Sequence, residues 1–226
     1  MRILALELST ETGSLAVLDE NTVIWEKTWV GAVRQRRPIF PDIASLVSAQ
    51  DWDWSRISRF AVGVGPGAFS GLRMAVSGVI GMAIPHNTPV IAVSSALALA
   101  GTVLSETGAS RVVVFGDARR NTLWAGCFIR SGRVATREGD WLVSSVDQLP
   151  DWVKKPGTVW ISPDWTRIQE SLRSVCPEGV VLIEEPRIPG AAMVARMAAA
   201  MVESGVEGEP LAPIYVHPAV SVAPRY

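Results

Sequence analysis

Cysteine and histidine are scarce in this chain, and each scarcity argues against a class of function. The 226 residues include two cysteines and two histidines. Cys127 and Cys176 belong to no Cys-x-x-Cys pattern, so we expect both to be reduced thiols. His86 and His217 lie far apart and outside any His-Glu-x-x-His motif. The sequence therefore predicts no histidine-based metal site and argues against a metalloprotease.

An excess of charge of either sign is also missing. Lys and Arg number 21 against 22 Asp and Glu, which gives a formal net charge of -1. No global basic field attracts nucleic acid, so we expect any role involving RNA to be indirect or confined to a local patch. The apolar run before Glu7 is too short for a secretory signal, and Arg73, Pro85 and Arg196 interrupt the later ones. We expect a cytoplasmic protein without a membrane span.

Residues 60–84 are the stretch around which the chain is organised. Residues 60–64 form a short apolar run that is typical of a buried strand. Gly65-Pro66-Gly67 predicts a tight turn. Ser70 is a suitable N-cap for the helix that follows, in which apolar residues recur at helical spacing. The sequence thus predicts a strand, a glycine loop and a helix.

This glycine loop permits two interpretations. The N–H groups at the start of a helix can hold a phosphate, and Arg73 lies one turn further on. The carboxylate of Glu7, in the first hairpin, could hold a hydrated magnesium ion. Alternatively, the glycines serve packing and the first hairpin is a plain polar turn. The candidate nucleotide-binding residues are Glu7, Ser9, Thr10, Gly65, Gly67, Ser70 and Arg73.

The predicted helix after the loop carries many small residues on one side. Gly71, Ala75 and Gly78 share a face, and Ser77 and Gly81 lie beside them. Each glycine in a helix costs about 1 kcal/mol relative to alanine. We therefore expect a second helix, or a partner, to press against this face.

The order of the predicted elements indicates a mixed α/β protein with two related halves. A three-strand meander over residues 3–30 precedes a helix near residues 39–47, the stretch 60–84, a strand at 89–93 and a helix beginning at Ser94-Ser95. A second, smaller series begins at residue 111. It has strands at 111–115, 123–129, 158–161 and 180–183, and helices at 164–174 and 191–202. We place the boundary between residues 1–106 and 107–226.

Five segments, in this order along nearly the whole chain, resemble the TsaB (YeaZ) family. They are Ile-Leu-Ala-Leu-Glu-Leu-Ser-Thr-Glu at 3–11, Gly-Val-Gly-Pro-Gly-Ala-Phe-Ser-Gly-Leu-Arg at 63–73, Ala-Val-Ser-Ser-Ala-Leu-Ala-Leu-Ala at 92–100, Asp-Ala-Arg-Arg at 117–120 and Pro-Ile-Tyr at 213–215. The resemblance implies the fold of actin, the sugar kinases and the 70-kDa chaperones, with a reduced second half. It also implies a non-catalytic subunit that pairs with TsaD, which carries the metal and the active site. The pair makes threonylcarbamoyladenosine on tRNAs that read codons beginning with A.

Further expectations follow from this resemblance. The chain needs no cofactor of its own, while ATP or ADP with magnesium is expected at the interface with the partner. A TsaE-like ATPase is a further expected partner, tRNA is reached only through the complex, and the chain forms a homodimer when TsaD is absent. The expected partner interface comprises Ile39, Phe40, Ile43, Gly71, Met74, Ala75, Ser77, Gly78 and Gly81.

The chain also departs from the family pattern, which keeps other functions open. Glu7 stands where the family usually has aspartate and Leu8 where it has threonine, which weakens the case for nucleotide binding. The segment before the first helix reads Arg34-Gln35-Arg36-Arg37-Pro38 and lacks the usual histidine. One alternative is a small-molecule kinase of the same fold that uses Glu7, the loop at Gly65 and Asp117 as a base. Another is a diverged paralogue that acts as a homodimeric interaction protein.

Overall fold

The structure, a computed structural model, describes residues 1–31, 40–41, 43–44, 54–132 and 134–216. The basic segment 34–38 and Ile39 lie outside these ranges. Of the helix predicted near residues 39–47, only 40–41 and 43–44 are described, and they are helical.

The first half of the chain forms a five-stranded mixed sheet. A three-strand antiparallel meander is extended on one side by two parallel strands, in the order β3-β2-β1-β4-β5. The strands are β1 (Arg2–Glu7), β2 (Thr12–Asp19), β3 (Thr22–Val30), β4 (Arg59–Gly63) and β5 (Val90–Val93), and the helices are α1 (Phe69–Ala83) and α2 (Ser95–Thr107).

The second half repeats this arrangement with another five-stranded mixed sheet. Its sheet has the order β10-β9-β6-β7-β8, in which the central β6 pairs antiparallel with β7 and parallel with β9. Two short 3-10 turns, Val146–Gln148 and Asp151–Lys154, connect β8 to β9. The elements are β6 (Arg111–Asp117), β7 (Thr122–Ser131), β8 (Val134–Ser145), β9 (Val159–Ser162), α3 (Trp165–Val175), β10 (Val181–Pro186) and α4 (Ala191–Ser204). The prediction of two related α/β halves, the second reduced, is confirmed.

Two helices lie where the halves meet. α2 begins after Ser94, whose hydroxyl accepts a hydrogen bond from the Leu97 N–H at 3.3 Å, as the sequence predicts for an N-cap. α2 packs on β6, β7 and β8 of the second sheet, whereas α4 packs on β1, β2 and β4 of the first. The predicted boundary between residues 106 and 107 separates the two sheets. It does not match the packing of α2 and α4, because each of these helices lies against the sheet of the other half. The boundary therefore stays a prediction.

Several smaller predictions can be compared with the structure. Cys127 and Cys176 are both free thiols, as expected. The prediction that Ser70 caps α1 is wrong: the helix begins at Phe69, with Ala68 at the N-cap and no side-chain cap bond. Ser70 lies within the first turn. No helix in the described ranges is long and apolar enough to cross a bilayer.

Candidate functional site

Glu7 lies at the carboxyl end of β1 and is completely buried. Its Oε1 accepts a hydrogen bond from the Ser9 N–H at 2.5 Å, while Oε2 has no hydrogen-bond partner among the residues that the structure describes. A side chain at Gly63 would overlap this Oε2 atom, so the carboxyl group fills the space beside β4. Burial raises the pKa of Glu7, and the hydrogen bond from the Ser9 N–H opposes that rise.

The glycine loop after β4 is tied to its neighbours through backbone groups. The Gly65 N–H donates to Ser95 Oγ at 2.9 Å, and the Gly65 carbonyl accepts from the Ser95 N–H at 2.8 Å. The Ala68 N–H donates to the Ser9 carbonyl at 2.6 Å, and a side chain at Gly67 would overlap the same carbonyl. Two N–H groups of the loop are therefore already bonded within the chain and are not available to a phosphate.

The C-terminal segment of the described chain crosses the ends of β5 and β4. The Glu209 N–H donates to the Ala92 carbonyl at 2.9 Å, and the Ile214 N–H donates to the Val64 carbonyl at 2.7 Å. The segment is therefore hydrogen-bonded at the carboxyl ends of both strands.

An exposed aromatic cluster joins this segment to the start of α1. The Phe69 and Tyr215 rings lie 5.4 Å apart between centroids. The Arg73 guanidinium stacks 3.8 Å from the Phe69 ring, and its Nε donates to Tyr215 Oη at 3.1 Å. Arg73 is thus bound within the chain, although its side chain remains exposed.

The small residues of α1 do not form one open stripe. Gly71 and Ala75 lie on the buried side of the helix, and the Phe40 ring occupies the space beside Gly78. Gly81 is exposed, and apart from its own helix backbone and chain neighbours no residue that the structure describes has an atom within 4 Å of the place where a Cβ would stand. Its neighbour along the helix surface, Ser77, is also exposed.

Exposed apolar side chains flank this open part of α1. Phe69 at its first residue is 53% exposed, and Ile84, which follows its last residue, is 71% exposed. We call Phe69, Ser77, Gly81 and Ile84 the outer face of α1. Because Ser77 and Gly81 are small, another backbone can approach this part of the helix closely.

In the second half, the turn between β6 and β7 carries the Asp-Ala-Arg-Arg motif. One carboxylate oxygen of Asp117 accepts the Arg119 N–H at 2.8 Å. The other is paired with the Arg119 guanidinium at 3.1 Å and with Nε of Arg167 at 3.4 Å. Both oxygens are engaged by positive or N–H groups. The geometry gives no support to Asp117 as a general base.

No cluster of three His, Cys, Asp or Glu side chains within the described ranges is arranged to hold a metal ion. Glu7 is enclosed by serine and glycine neighbours and is separated from solvent.

Residues 34–150, just over half of the chain, match the model of the family described as TsaD, tRNA N6-adenosine threonylcarbamoyltransferase. The chain is 31% identical over 126 residues to the tRNA threonylcarbamoyladenosine biosynthesis protein TsaB of Escherichia coli, covering 55% of this chain and 54% of that protein. It is 30% identical over 130 residues to TsaB of Bacillus subtilis, covering 57% and 55%.

The chain belongs to the TsaB (YeaZ) family. The solved structure of YeaZ from Pseudomonas aeruginosa superposes with a TM-score of 0.78 at 25% identity, over 95% of this chain and 100% of that one. A second structure, titled as an uncharacterized protein with similarity to peptidase YeaZ from the same organism, gives 0.80 at 26% identity, over 96% and 99%. The chain spans about half the length of the curated TsaB relatives it matches, but almost all of these two structures.

The predicted site residues fall into groups that differ in accessibility. Among the nucleotide-binding candidates, Glu7, Ser9 and Gly65 are buried, Thr10 is half-buried, and Gly67, Ser70 and Arg73 are exposed. Among the interface candidates, Ile43, Gly71 and Ala75 are buried, Phe40, Met74 and Gly78 are half-buried, Ser77 and Gly81 are exposed, and Ile39 lies outside the described residues. Both assignments stay predictions. The buried members already serve packing within this chain.

The sequence analysis did not identify Phe69 and Tyr215 as members of one exposed cluster. Their contact joins residues 146 positions apart, and neither periodicity nor spacing reveals such a pair. The Pro-Ile-Tyr motif, quoted only for its resemblance to the family, was the available signal.

Proposed function

We propose that this chain acts in tRNA threonylcarbamoyladenosine biosynthesis as a non-catalytic subunit that pairs with a TsaD-like protein. The names of the TsaB relatives support the process. The observation that carries the pairing role is the outer face of α1, where Gly81 stands in open space between exposed apolar ends. A glycine within a helix costs about 1 kcal/mol relative to alanine, and no packing within the described chain explains it at this position.

The buried carboxylate and the occupied loop favour a supporting role over independent catalysis. Glu7 is sealed from solvent, and both oxygens of Asp117 are paired. A small-molecule kinase needs a carboxylate facing its magnesium and a base facing its acceptor. We therefore propose that any ATP or ADP with magnesium is held together with the partner's residues.

We propose that the other assemblies of this chain also depend on the outer face of α1. Without its partner, the chain is proposed to pair with a second copy through the outer face of α1. A TsaE-like ATPase and tRNA are proposed to join only once the complex with the TsaD-like subunit has formed. In size-exclusion chromatography with light scattering, we expect a dimer of the chain alone and a mixed complex on adding the subunit.

A matched pair of variants tests this proposal. Ser77→Trp places an indole on the outer face, and Ser174→Trp places one on the exposed last turn of α3. We expect Ser77→Trp to remain folded, to lose co-purification with the TsaD-like subunit of the same organism, and to lower threonylcarbamoyladenosine formation by the reconstituted mixture. Ser174→Trp should behave like the wild type. Equal pairing by Ser77→Trp would remove the outer face of α1 from the proposal.

A further inference from the structure

The turn between β6 and β7 has an unusual backbone. Arg119, Arg120 and Asn121 have φ angles of +64°, +51° and +59°, so three successive residues adopt the left-handed conformation. This region is unfavourable for residues with a Cβ, and asparagine tolerates it better than arginine does. Two-residue hairpin turns with positive φ accordingly favour Asn-Gly, Asp-Gly or Gly-Gly.

Arg119 and Arg120 therefore occupy positions at which the backbone conformation favours other residue types. Glycine or asparagine at positions 119 and 120 would form the same turn with less strain. Strained backbone conformations persist only where the surrounding structure holds them, and they cluster at functional sites. The side chains of Arg119 and Arg120 need a reason beyond the turn itself.

The charges around the turn are arranged with the carboxylates inside and the guanidinium groups outside. The side chains of Asp117 and Asp164 are 16% and 20% exposed, whereas those of Arg119 and Arg167 are 70% and 49% exposed. Asp164 accepts the Asp117 N–H at 2.9 Å and pairs with Arg167.

These two carboxylates orient two of the arginines from beneath. Arg120 is exposed and forms no side-chain hydrogen bond or ion pair within the part of the chain that the structure describes. Three arginines against two carboxylates leave this exposed patch net positive on a chain whose total charge is -1.

We propose that Arg119, Arg120 and Arg167 form a contact site for the phosphate backbone of tRNA, which rests on the proposed function. Guanidinium groups bind phosphate oxygens through paired N–H donors, and such contacts position an RNA without selecting its sequence. Ion pairs with Asp117 and Asp164 orient Arg119 and Arg167, so these two groups lose little side-chain freedom on binding. The site belongs to the second half of the chain, whereas the outer face of α1 belongs to the first.

The substitution Arg120→Asn removes the positive charge at this position and should keep the fold of the turn. Asparagine suits the left-handed conformation at this position, so the variant should unfold at the same or a higher temperature than the wild type. The matched control is Arg173→Gln, which removes an exposed arginine near the other end of α3, where Arg173 pairs with Glu184. Both variants carry the same net charge, so a difference between them reports position.

The binding measurement uses the complex of the full chain with the TsaD-like subunit. Its probe is a fluorescent, unmodified transcript of a tRNA that reads codons beginning with A, titrated at several salt concentrations from about 50 to 200 mM. We expect Arg120→Asn to weaken binding several-fold at the lowest salt and to reduce the slope of log K against log salt by about 0.7 to 0.9, the value of one phosphate contact. Arg173→Gln should leave both quantities unchanged.

The possible failures are distinguishable. If the wild-type complex binds and modifies the transcript and Arg120→Asn binds it with unchanged affinity and slope, the phosphate site is wrong and the proposed function stands. Loss of co-purification with the TsaD-like subunit in Arg120→Asn would show a protein contact and would also overturn the site. A wild-type complex that neither binds nor modifies the transcript would contradict both proposals.

Discussion

The ring of Phe40 occupies the space that a side chain at residue 78 would need, so Gly78 is explained within the chain itself. This contact divides the small residues of α1 into two sets. Gly71, Ala75 and Gly78 serve the packing of the helix on its own half of the molecule. Gly81, one turn further on, has open space around it and is the position at which a partner's contribution can be measured.

The first prediction concerns the contact between Gly78 and Phe40. Gly78→Leu should destabilise the isolated chain by about 1–3 kcal/mol, because the added side chain overlaps the Phe40 ring. Urea denaturation measures this loss as a lower midpoint. In the Phe40→Ala background the same substitution should cost less, since the space is then free. An equal loss in both backgrounds would show that the strain arises elsewhere in the helix.

The second prediction concerns the pH dependence of stability. Because burial raises the pKa of Glu7, the unfolded chain releases this proton at a lower pH than the folded chain does. The contribution of Glu7 to the free energy of unfolding therefore falls as the pH rises from the unfolded value, near 4.5, to the folded pKa, and then levels off. Glu7→Gln keeps an acceptor for the Ser9 N–H and removes the charge.

Denaturation of wild type and Glu7→Gln across this pH range tests the sign. The stability of the variant relative to the wild type should increase with pH from about 4.5 upward, following the linkage relation. Glu203→Gln, which removes the same charge at an exposed position near the end of α4, is the control. A Glu7→Gln curve parallel to that of the wild type would contradict a raised pKa.

The third prediction concerns the two thiols. Cys127 is fully buried on β7, and burial raises its pKa to about 12, while Cys176 is half-buried and its pKa is raised by burial and by the Glu184 charge. The thiolate is the nucleophile that attacks an alkylating reagent, so both should react slowly in the folded chain and Cys127 more slowly than Cys176. Mass spectrometry after timed alkylation, with a urea-unfolded sample as control, measures the two rates. Faster labelling of Cys127 would indicate that β7 opens.

Most of the strands and helices were predictable, because their apolar runs match their burial. The main omission is β8 (Val134–Ser145), which sequence analysis did not identify as a strand. Its middle reads Arg137-Glu138-Gly139-Asp140, a polar run that resembles a loop. It is extended because it lies at the sheet edge, where β7 supplies its backbone hydrogen bonds and one face is open to water.

Side-chain directions in the candidate site were less predictable. Helical spacing places Gly71, Ala75 and Gly78 on one face, but it does not say whether that face meets the chain's own core or another molecule. The structure shows that the first two are buried and that Phe40 covers the third. Glu7 could be placed at a strand end but not in a sealed pocket, since its burial depends on residues 63 and 95, far away in sequence.

The central claim is that the open glycine of α1 exists to admit a partner, and Gly81→Ala tests it most directly. Alanine favours the helix by about 1 kcal/mol, so the isolated variant should unfold at a higher temperature than the wild type. In calorimetric titration against the TsaD-like subunit, we expect the same variant to bind more weakly, because the added methyl group holds the partner's backbone away. Binding that is unchanged or tighter, together with the expected gain in stability, would contradict the claim that this face is the pairing surface.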